Sequence, residues 1–250
     1  GSPVIPHHFV PEIGPKAKRP ASATVAAMRA DDATYLRLQT AVVALSGFAE
    51  GVATTQIFPY CARMVTTIQG SSAVAFYVGV IYCGNGLGQI CATQLWAASA
   101  TWLGCHRGLC ISLFLTAACV GSCACTDSLS MLVTFSVSRG LCNGIRILGR
   151  VGLHRSHLKR GCDDTVALGW LGAAAAVSSM CGPSLGGVTY DALPALNYPW
   201  SLPYLCASGL LTLAGVFVMF FMEDTIHLPV VEQLPGKDQH QGAEQATGAP

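Results

Sequence analysis

Six long apolar segments follow one another along the chain, and the charges within them are Glu50, Arg139 and, near one edge, Arg146. Each segment approaches the roughly 20 residues that a membrane-spanning helix needs. Transmembrane strands would show about 10 residues of alternating character, and six such helices in a soluble protein would lack a polar outer face. The pattern predicts an all-α polytopic membrane protein, a six-transmembrane-helix bundle. The segments are Leu38 to Tyr60, Val74 to Ala98, Gly108 to Thr126, Leu129 to Leu148, Thr165 to Thr189 and Leu202 to Met222.

The charge content agrees with a membrane location. Charged residues make up 11% of the 250 residues and hydrophobic residues 52%, whereas a soluble domain carries about 25% charged residues. So few charges cannot cover a globular surface, and the lipid bilayer is therefore an expected partner. The polar, breaker-rich flanks 1–35 and 226–250 predict mostly disordered tails around a transmembrane domain at 36–225. The net charge of +1 gives no indication of nucleic-acid binding, and we expect none.

Basic residues fall on alternate connections between the segments. The two flanks and the connections after the second and fourth segments carry Lys or Arg, whereas the other three connections carry only Arg63. Cytoplasmic loops are enriched in Lys and Arg, so both termini are predicted to be cytoplasmic. An even number of crossings requires the same arrangement. The plasma membrane and the vacuolar membrane both fit this topology.

Glu50 and Arg139 lie near the centres of the first and fourth segments, so opposite charges are expected at similar depth. Ionisable groups inside a membrane are costly and are usually paired or used. Two interpretations are open: a structural pair that fixes helix packing, or a substrate or proton site in a polar cavity. Glu50 is the natural partner of Arg139 in either case, directly or through water, and Asn143 should share the helix face of Arg139.

Glycines in the second and fifth segments predict close helix packing. Gly84 and Gly88 form a small-xxx-small face, beside which the amides of Asn85 and Gln89 need partners. The fifth segment contains Gly169 and then the stretch Gly182-Pro183-Ser184-Leu185-Gly186-Gly187. This stretch predicts a kinked or closely packed helix, and a hinge for alternating access is the functional alternative.

Other chemistry has little support in the sequence. Most of the twelve cysteines lie in apolar runs, where free Cys behaves as a small hydrophobe. The spacings of common zinc sites are absent, so we expect neither a metal site nor a cofactor. An enzyme would need a cluster of acid–base groups that is not seen. The basic stretch from His154 to Arg160 predicts a solvated cytoplasmic loop, with contact to anionic headgroups as the alternative.

Several stretches carry a family resemblance over roughly residues 36–225. They are Ala49-Glu50-Gly51 with Ile57-Phe58-Pro59-Tyr60, Phe76-Tyr77-Val78-Gly79 with Gly88-Gln89 and Trp96, Arg139-Gly140-Leu141-Cys142-Asn143-Gly144, the glycines and Pro183 of the fifth segment, and Met222-Glu223-Asp224-Thr225. Together they resemble the N-terminal six-helix half of the major facilitator superfamily. Within it, the proton-coupled drug antiporters and the zinc-induced facilitator-like transporters are most similar.

The resemblance implies a transporter of an unknown small molecule or ion, coupled to protons. It places Glu50, Arg139, Asn143 and Gln89 at the transport site and implies a second six-helix half, or a second copy of the chain, as partner. The glycine- and proline-containing motif of the fifth segment would act in gating. Its residues are Gly169, Gly182, Pro183, Gly186 and Gly187.

The chain also departs from the pattern of this family. The loop after the second helix usually contains an Asp-Arg pair, which is Thr101-Trp102 here, although Gly104 is kept. Ser178 stands where the fifth-helix motif often has Gly. Charge contacts of the loop are associated with conformational exchange in the family. The alternative is therefore a degenerate, non-transporting membrane protein that acts through interactions.

Overall fold

A computed structural model of the chain describes residues 22–160, 162–192 and 198–222, with the backbone alone at 22–32 and 159. These residues form eight α-helices and no strand, so the predicted all-α class is confirmed for them. The chain divides into two units after Tyr35, and the description below concerns the unit that begins at Leu36. The helices are α1 (Ser22–Thr55), α2 (Cys61–Gln69), α3 (Val74–Trp102), α4 (Cys105–Cys123), α5 (Leu129–Cys142), α6 (Ile145–Lys159), α7 (Thr165–Ala192) and α8 (Ser201–Phe221).

Four of the described helices, α3, α4, α7 and α8, are long and apolar enough to cross a membrane. They agree with a multi-pass membrane protein. The two predicted spans outside this set are the two that carry charge. Polar residues such as Gln39 and Glu50 lower the hydropathy of α1, and α5 has only 14 residues because it ends at Cys142.

The stretch from His154 to Arg160 is not the loop that the sequence predicted, because α6 continues to Lys159. Along α6, the polar residues Arg146, Arg150 and His154 recur at four-residue intervals on one exposed face. Leu148 and Leu153 of the same helix are buried. An amphipathic period of this kind keeps a charged segment helical because the apolar face packs on the bundle.

The flanks are covered only in part. Helix α1 begins at Ser22, inside the segment 1–35 that was predicted as a mostly disordered tail, so residues 22–35 are helical instead. The predictions for residues 1–21 and 226–250 lie outside the described residues.

Hydrogen bonds at helix termini define two ends of the bundle. At the first end, Gln39 Nε2 of α1 donates to the carbonyl of Phe221 at the end of α8, 3.0 Å away. At the opposite end, Ser201 Oγ at the start of α8 donates to Ala124 O after α4, at 2.6 Å. The first end, called the basic end below, carries most of the described arginines: Arg37, Arg107, Arg150, Arg155 and Arg160.

Gly104 has a structural reason to be glycine. Helices α3 and α4 are separated by only Leu103 and Gly104, and Gly104 adopts φ 78° at the N-terminus of α4. A side chain is strained at such a positive φ. The tight reversal at the basic end therefore depends on this residue.

The crossing of α3 and α5 brings two backbones into direct contact. At the crossing of α3 and α5, a Cβ added to Gly88 would collide with Val137 O, and one added to Gly140 with Asn85 O. The small residues at 84 and 88 therefore face a neighbouring helix, with Gly84 against the Val137 side chain. This contact fixes the position of α5 beside the polar groups described next.

Candidate functional site

The helical path from Leu129 to Lys159 is interrupted between Cys142 and Ile145. Asn143 leaves the helical region with φ −79° and ψ 83°. The interruption frees backbone groups inside the bundle, and in a membrane such breaks persist only where neighbouring helices supply partners. Here Trp96 Nε1 of α3 donates to Leu141 O at 3.0 Å. Ser112 Oγ of α4 donates to Cys142 O at 2.8 Å and accepts from Gly144 N at 2.8 Å.

Glu50 of α1 joins the two sides of this break. Its carboxylate accepts hydrogen bonds from Asn143 Nδ2 at 2.8 Å and from Arg146 Nε at 2.9 Å. Thr54, one turn further along α1, donates a third bond to it at 3.1 Å. Glu50 is 1% exposed, and a buried carboxylate needs this kind of compensation. The N-terminus of α6 adds a favourable dipole, because Arg146 lies in its first turn.

The Glu50–Arg146 pair is asymmetric. The side chain of Glu50 is 2% exposed and that of Arg146 is 58% exposed. The cation therefore reaches the carboxylate from an open side of the bundle. Solvent or a ligand can compete for Arg146 without entering the core, whereas Glu50 changes partner only if the helices move.

Arg139 occupies a separate position from this pair. It is 9% exposed, its Nε donates to Asn85 Oδ1 at 3.3 Å and its Nη1 donates to Ala53 O at 3.2 Å. No carboxylate among the described residues forms an ion pair with it. A direct Glu50–Arg139 ion pair, one of the two forms expected, is absent from the described residues, and the direct ion pair of Glu50 is with Arg146. Both arginines contact α1, but at different levels: Arg139 donates to Ala53 O, whereas Arg146 donates to Glu50, three residues earlier on α1.

A small cavity of about 10 Å³ lies beside Arg139. That volume is near the lower limit for a single water molecule. Tyr60, which packs on the same region of the core, has a buried hydroxyl without a hydrogen-bond partner among the described residues. The interior thus offers Arg139 neutral oxygens and very little space. The lining residues are Ile57, Ile81, Tyr82, Asn85, Cys123, Ser136, Arg139 and Tyr204.

The other predicted site residues are dispersed. Asn143 belongs to the Glu50 cluster, but the side chain of Gln89 makes no hydrogen bond with any described residue. Only the backbone of Gln89 is constrained, at the α3–α5 crossing. Asn85, in contrast, finds the partner that its amide was expected to need.

The glycines of the fifth-segment motif behave in two ways. A Cβ on Gly182 would collide with Thr55 Oγ1, and one on Gly186 with Gln56 O, so these two pack against the end of α1. Gly169 has open space around it, and the nearest atom to Gly187 is Pro59 Cγ at 4.0 Å. The close packing at Gly182 and Gly186 agrees with the expected geometry, whereas the gating role stays a prediction.

Four residues of the site were not predicted as site residues: Thr54, Arg146, Ser112 and Trp96. Arg146 entered the sequence analysis only as a basic residue at a segment edge. The dipeptide Asn143-Gly144 is a turn signal and could have indicated the break. Nothing in the sequence distinguishes Ser112 from other hydroxyls in apolar helices, because its role depends on which helix packs beside it.

Comparisons with known proteins do not assign this chain to a family. Neither a scan against protein-family models nor a search of curated proteins finds a match. The similarity to the major facilitator superfamily therefore stays a prediction. Among the described residues, no group of three His, Cys, Asp or Glu side chains could hold a metal ion. What the site can do must be argued from the Glu50 cluster and Arg139.

Proposed function

We propose that the protein moves a small molecule or ion across a membrane, coupled to protons, as one six-helix half of a transporter of the major facilitator type. The observation that carries the proposal is the interrupted helix whose two sides are joined by Glu50. Discontinuous helices with ionisable groups near the middle of the bilayer characterise transport sites. Arg139 adds a buried positive charge that no described carboxylate neutralises.

The proposed coupling step uses Glu50 as the proton carrier. Protonation removes the charge that holds Arg146 and weakens the contact between α1 and the first turn of α6. The two sides of the break can then move relative to each other, because Asn143 loses part of its anchor. Arg139 remains fixed by Ala53 and Asn85 and would present a positive charge to an anionic group of the substrate.

The proposal includes six crossings, with α1 and the α5–α6 pair added to the four apolar helices. The arginines at the basic end favour a cytoplasmic position for that end and for both termini, in the plasma or vacuolar membrane. Arg63 and Asp191 lie 3.8 Å apart at the opposite end. In a Cys-depleted chain, Arg63→Cys and Asp191→Cys should react with an impermeant reagent only from the non-cytoplasmic side. Reaction from the cytoplasmic side alone would contradict the topology.

The function is tested by proton flux in proteoliposomes. A pH-sensitive dye inside the vesicles reports proton movement when members of a panel of anionic, cationic and neutral small molecules are added. We expect at least one compound to drive proton flux in the wild type. Glu50→Gln should abolish the flux, as should Arg139→Ala and Arg139→Lys, since lysine cannot reproduce the two guanidinium contacts. Each variant should still be expressed and inserted.

Arg150→Gln is the matched control, because this arginine is exposed on α6 and makes no contact with the Glu50 cluster. It should retain wild-type flux. If Glu50→Gln and Arg139→Ala also retain it, the site is wrongly assigned. The assay should be run with the chain alone and with a co-reconstituted second half or tandem copy, since a facilitator-type cavity is built between two halves.

A second candidate function is a non-transporting membrane protein that acts through interactions. The observation in its favour is the tight interior: Glu50 has three donors, and the cavity beside Arg139 is only about 10 Å³. The loss of the Asp-Arg pair at Thr101-Trp102 points the same way. Absence of flux for every compound, in every reconstitution, would favour this candidate.

A further inference from the structure

A cavity of about 600 Å³ lies between three helix segments: residues 36–44 of α1, the end of α6 and the start of α7. Its volume falls within the range of roughly 300–1,000 Å³ that is usual for ligand pockets. It is remote from Glu50 and Arg139, neither of which lines it. The lining residues are Leu36, Arg37, Thr40, Ala41, Ala44, His157, Asp163, Val166, Ala167 and Trp170.

The cavity exists because α1 and α7 touch at one end and separate at the other. Gly51 packs on Ser178, and Thr55 Oγ1 donates to Ser178 O at 3.3 Å. Toward the basic end, small side chains at Ala41 and Ala44 face α7 without filling the gap. The two helices therefore enclose a wedge that is closed at mid-bundle and open at the basic end.

The apolar part of the wedge has the depth of one membrane leaflet. Leu36 and Ala44 are eight residues apart, which is about 12 Å along a helix. Half of a hydrocarbon core is about 15 Å. A wedge of this depth, lined by Ala, Leu, Val and one face of Trp170, suits a hydrocarbon chain that enters from a single leaflet.

Polar groups lie at the wide end of the wedge, where a headgroup would be. Arg37 is exposed there. His157 is 6% exposed, and its Nδ1 contacts Leu153 O at 2.9 Å. A carbonyl only accepts, so Nδ1 carries the hydrogen and Nε2 is left without a partner among the described residues. Nε2 is thus an open acceptor in the cavity lining, to which a hydrogen-bonding group of a ligand can donate.

Asp163 is the one carboxylate among the lining residues, and its Oδ1 accepts hydrogen bonds at the start of α7. Its Oδ1 accepts from Thr165 Oγ1 at 2.6 Å and from Thr165 N at 2.9 Å. These bonds, the hydroxyl first, hold the pKa of Asp163 below its usual value. The neighbouring Asp164 is bonded to His154 at 2.7 Å. Both carboxylates keep their negative charge, so the positive field around the opening comes from the excess of arginines among the described residues of the basic end, five against these two.

We propose that this cavity binds an anionic membrane phospholipid, with one acyl chain in the wedge between α1 and α7 and the phosphate at Arg37. The headgroup of such a lipid also reaches His157 Nε2, to which a headgroup hydroxyl can donate. The proposal rests on the membrane location of the protein and not on transport. It survives if the protein moves nothing.

The test uses Trp170 as a built-in reporter, because this side chain lines the cavity. The full chain with Trp102→Phe, which removes an indole exposed to bulk lipid, is reconstituted in phosphatidylcholine vesicles. Phosphatidylglycerol with brominated acyl chains is added at increasing mole fraction, and brominated phosphatidylcholine is used in parallel. Subtraction of the Trp170→Phe signal isolates the quenching of Trp170.

We expect quenching by the brominated phosphatidylglycerol to saturate at low mole fraction, and quenching by the brominated phosphatidylcholine to rise only in proportion to its amount. Arg37→Gln should raise the half-saturating mole fraction about fivefold. Arg150→Gln, at the same end but outside the cavity, should change it far less. Ala41→Leu with Ala44→Leu should remove the saturable quenching, whereas Ala98→Leu on an exposed face of α3 should not.

Equal curves for the two brominated lipids would overturn the proposal, because ordinary lipid contact would explain them. An Arg37→Gln curve identical to that of Arg150→Gln would also overturn it. Suppression of the quenching by inorganic phosphate in the millimolar range would mean that the site takes a free anion and not a lipid. If the double leucine variant does not fold, the Arg37→Gln comparison decides alone.

Discussion

Helices α5–α6 and α7 respond in opposite ways to residues that disrupt helices. The path through Asn143-Gly144 contains no proline and is interrupted, whereas α7 runs from Thr165 to Ala192 with Pro183 inside it. A proline removes one helical hydrogen bond and normally kinks or breaks a helix. Intrinsic propensity would therefore place the break in α7.

The difference lies in what each helix contacts. Next to Pro183, Gly182 and Gly186 lie against the backbone and side chains at the end of α1, and Thr55 bonds to Ser178 O. At the other site, side chains of three helices satisfy the free backbone groups and bond to Asn143. In lipid the deciding question is which backbone groups find partners. Tertiary contacts therefore decide both that α7 is continuous and that the α5–α6 path is interrupted.

Gly186→Leu should have the largest effect of the changes considered. The added side chain would collide with Gln56 O, and relief requires separation of α1 and α7. We expect a loss of about 3–5 kcal/mol in stability, or failure to fold. Fluorescence-detected size-exclusion chromatography and thermal melts in mild detergent measure it.

Leu185→Ala is the control for this change, because Leu185 is 47% exposed on the same helix. It should cost well under 1 kcal/mol. If the two variants are equally stable, this face of α7 meets lipid and the contact with α1 does not hold the helix straight.

Glu50→Ala tests the interrupted helix and should cost about 2–3 kcal/mol, since Asn143 and Arg146 lose their shared acceptor. A double-mutant cycle with Glu50→Gln and Arg146→Gln isolates the ion pair. Its coupling should be only about 1 kcal/mol, because Arg146 is more than half exposed. Denaturation in mixed micelles gives the four free energies of unfolding. A coupling near zero would mean that the amide of Asn143 alone supports Glu50.

The sequence predicted which segments are helical better than it predicted the contacts between their side chains. Apolar length and charge depletion give the all-α class and the positions of α3, α4, α7 and α8, because these features follow from the solvent alone. The same analysis placed Glu50 and Arg139 in the interior, and both are buried.

The pairing of Glu50 could not be predicted in the same way. Arg139 and Arg146 are seven residues apart and share one helix face, so the pattern alone does not decide which of the two lies level with Glu50. In the structure Arg139 reaches Ala53 O and Arg146 reaches Glu50. The break between α5 and α6 depends on Ser112 and Trp96, which come from helices whose packing the sequence does not give. Local pattern thus predicts burial, while the choice between two cations requires the tertiary structure.

Ser112→Ala should have a smaller effect than the loss of Glu50. It removes a bridge between Cys142 O and Gly144 N, the two sides of the break. We expect a loss of about 1 kcal/mol, because both backbone groups lose one neutral partner but stay bonded to each other, Gly144 N to Cys142 O at 3.0 Å. Ser122→Ala on the same helix is the control, since Ser122 bonds only Ala118 O within α4. Equal melting temperatures for the two variants would show that the break does not need Ser112.

Pro183→Ala should have the smallest effect on stability, below about 1 kcal/mol in either direction. Alanine restores the N–H that can bond to the carbonyl of residue 179, and it favours the helix intrinsically. However, the contacts of Gly182 and Gly186 already hold α7 continuous, so alanine can add little stability.

If α7 works as a hinge in transport, Pro183→Ala should instead lower the flux in the proteoliposome assay, because it removes the residue that allows the helix to bend. A melting temperature close to that of the wild type together with reduced flux would assign Pro183 to motion. A large change in melting temperature would show that the proline strains the helix, and the contrast with the α5–α6 break would then be one of degree only.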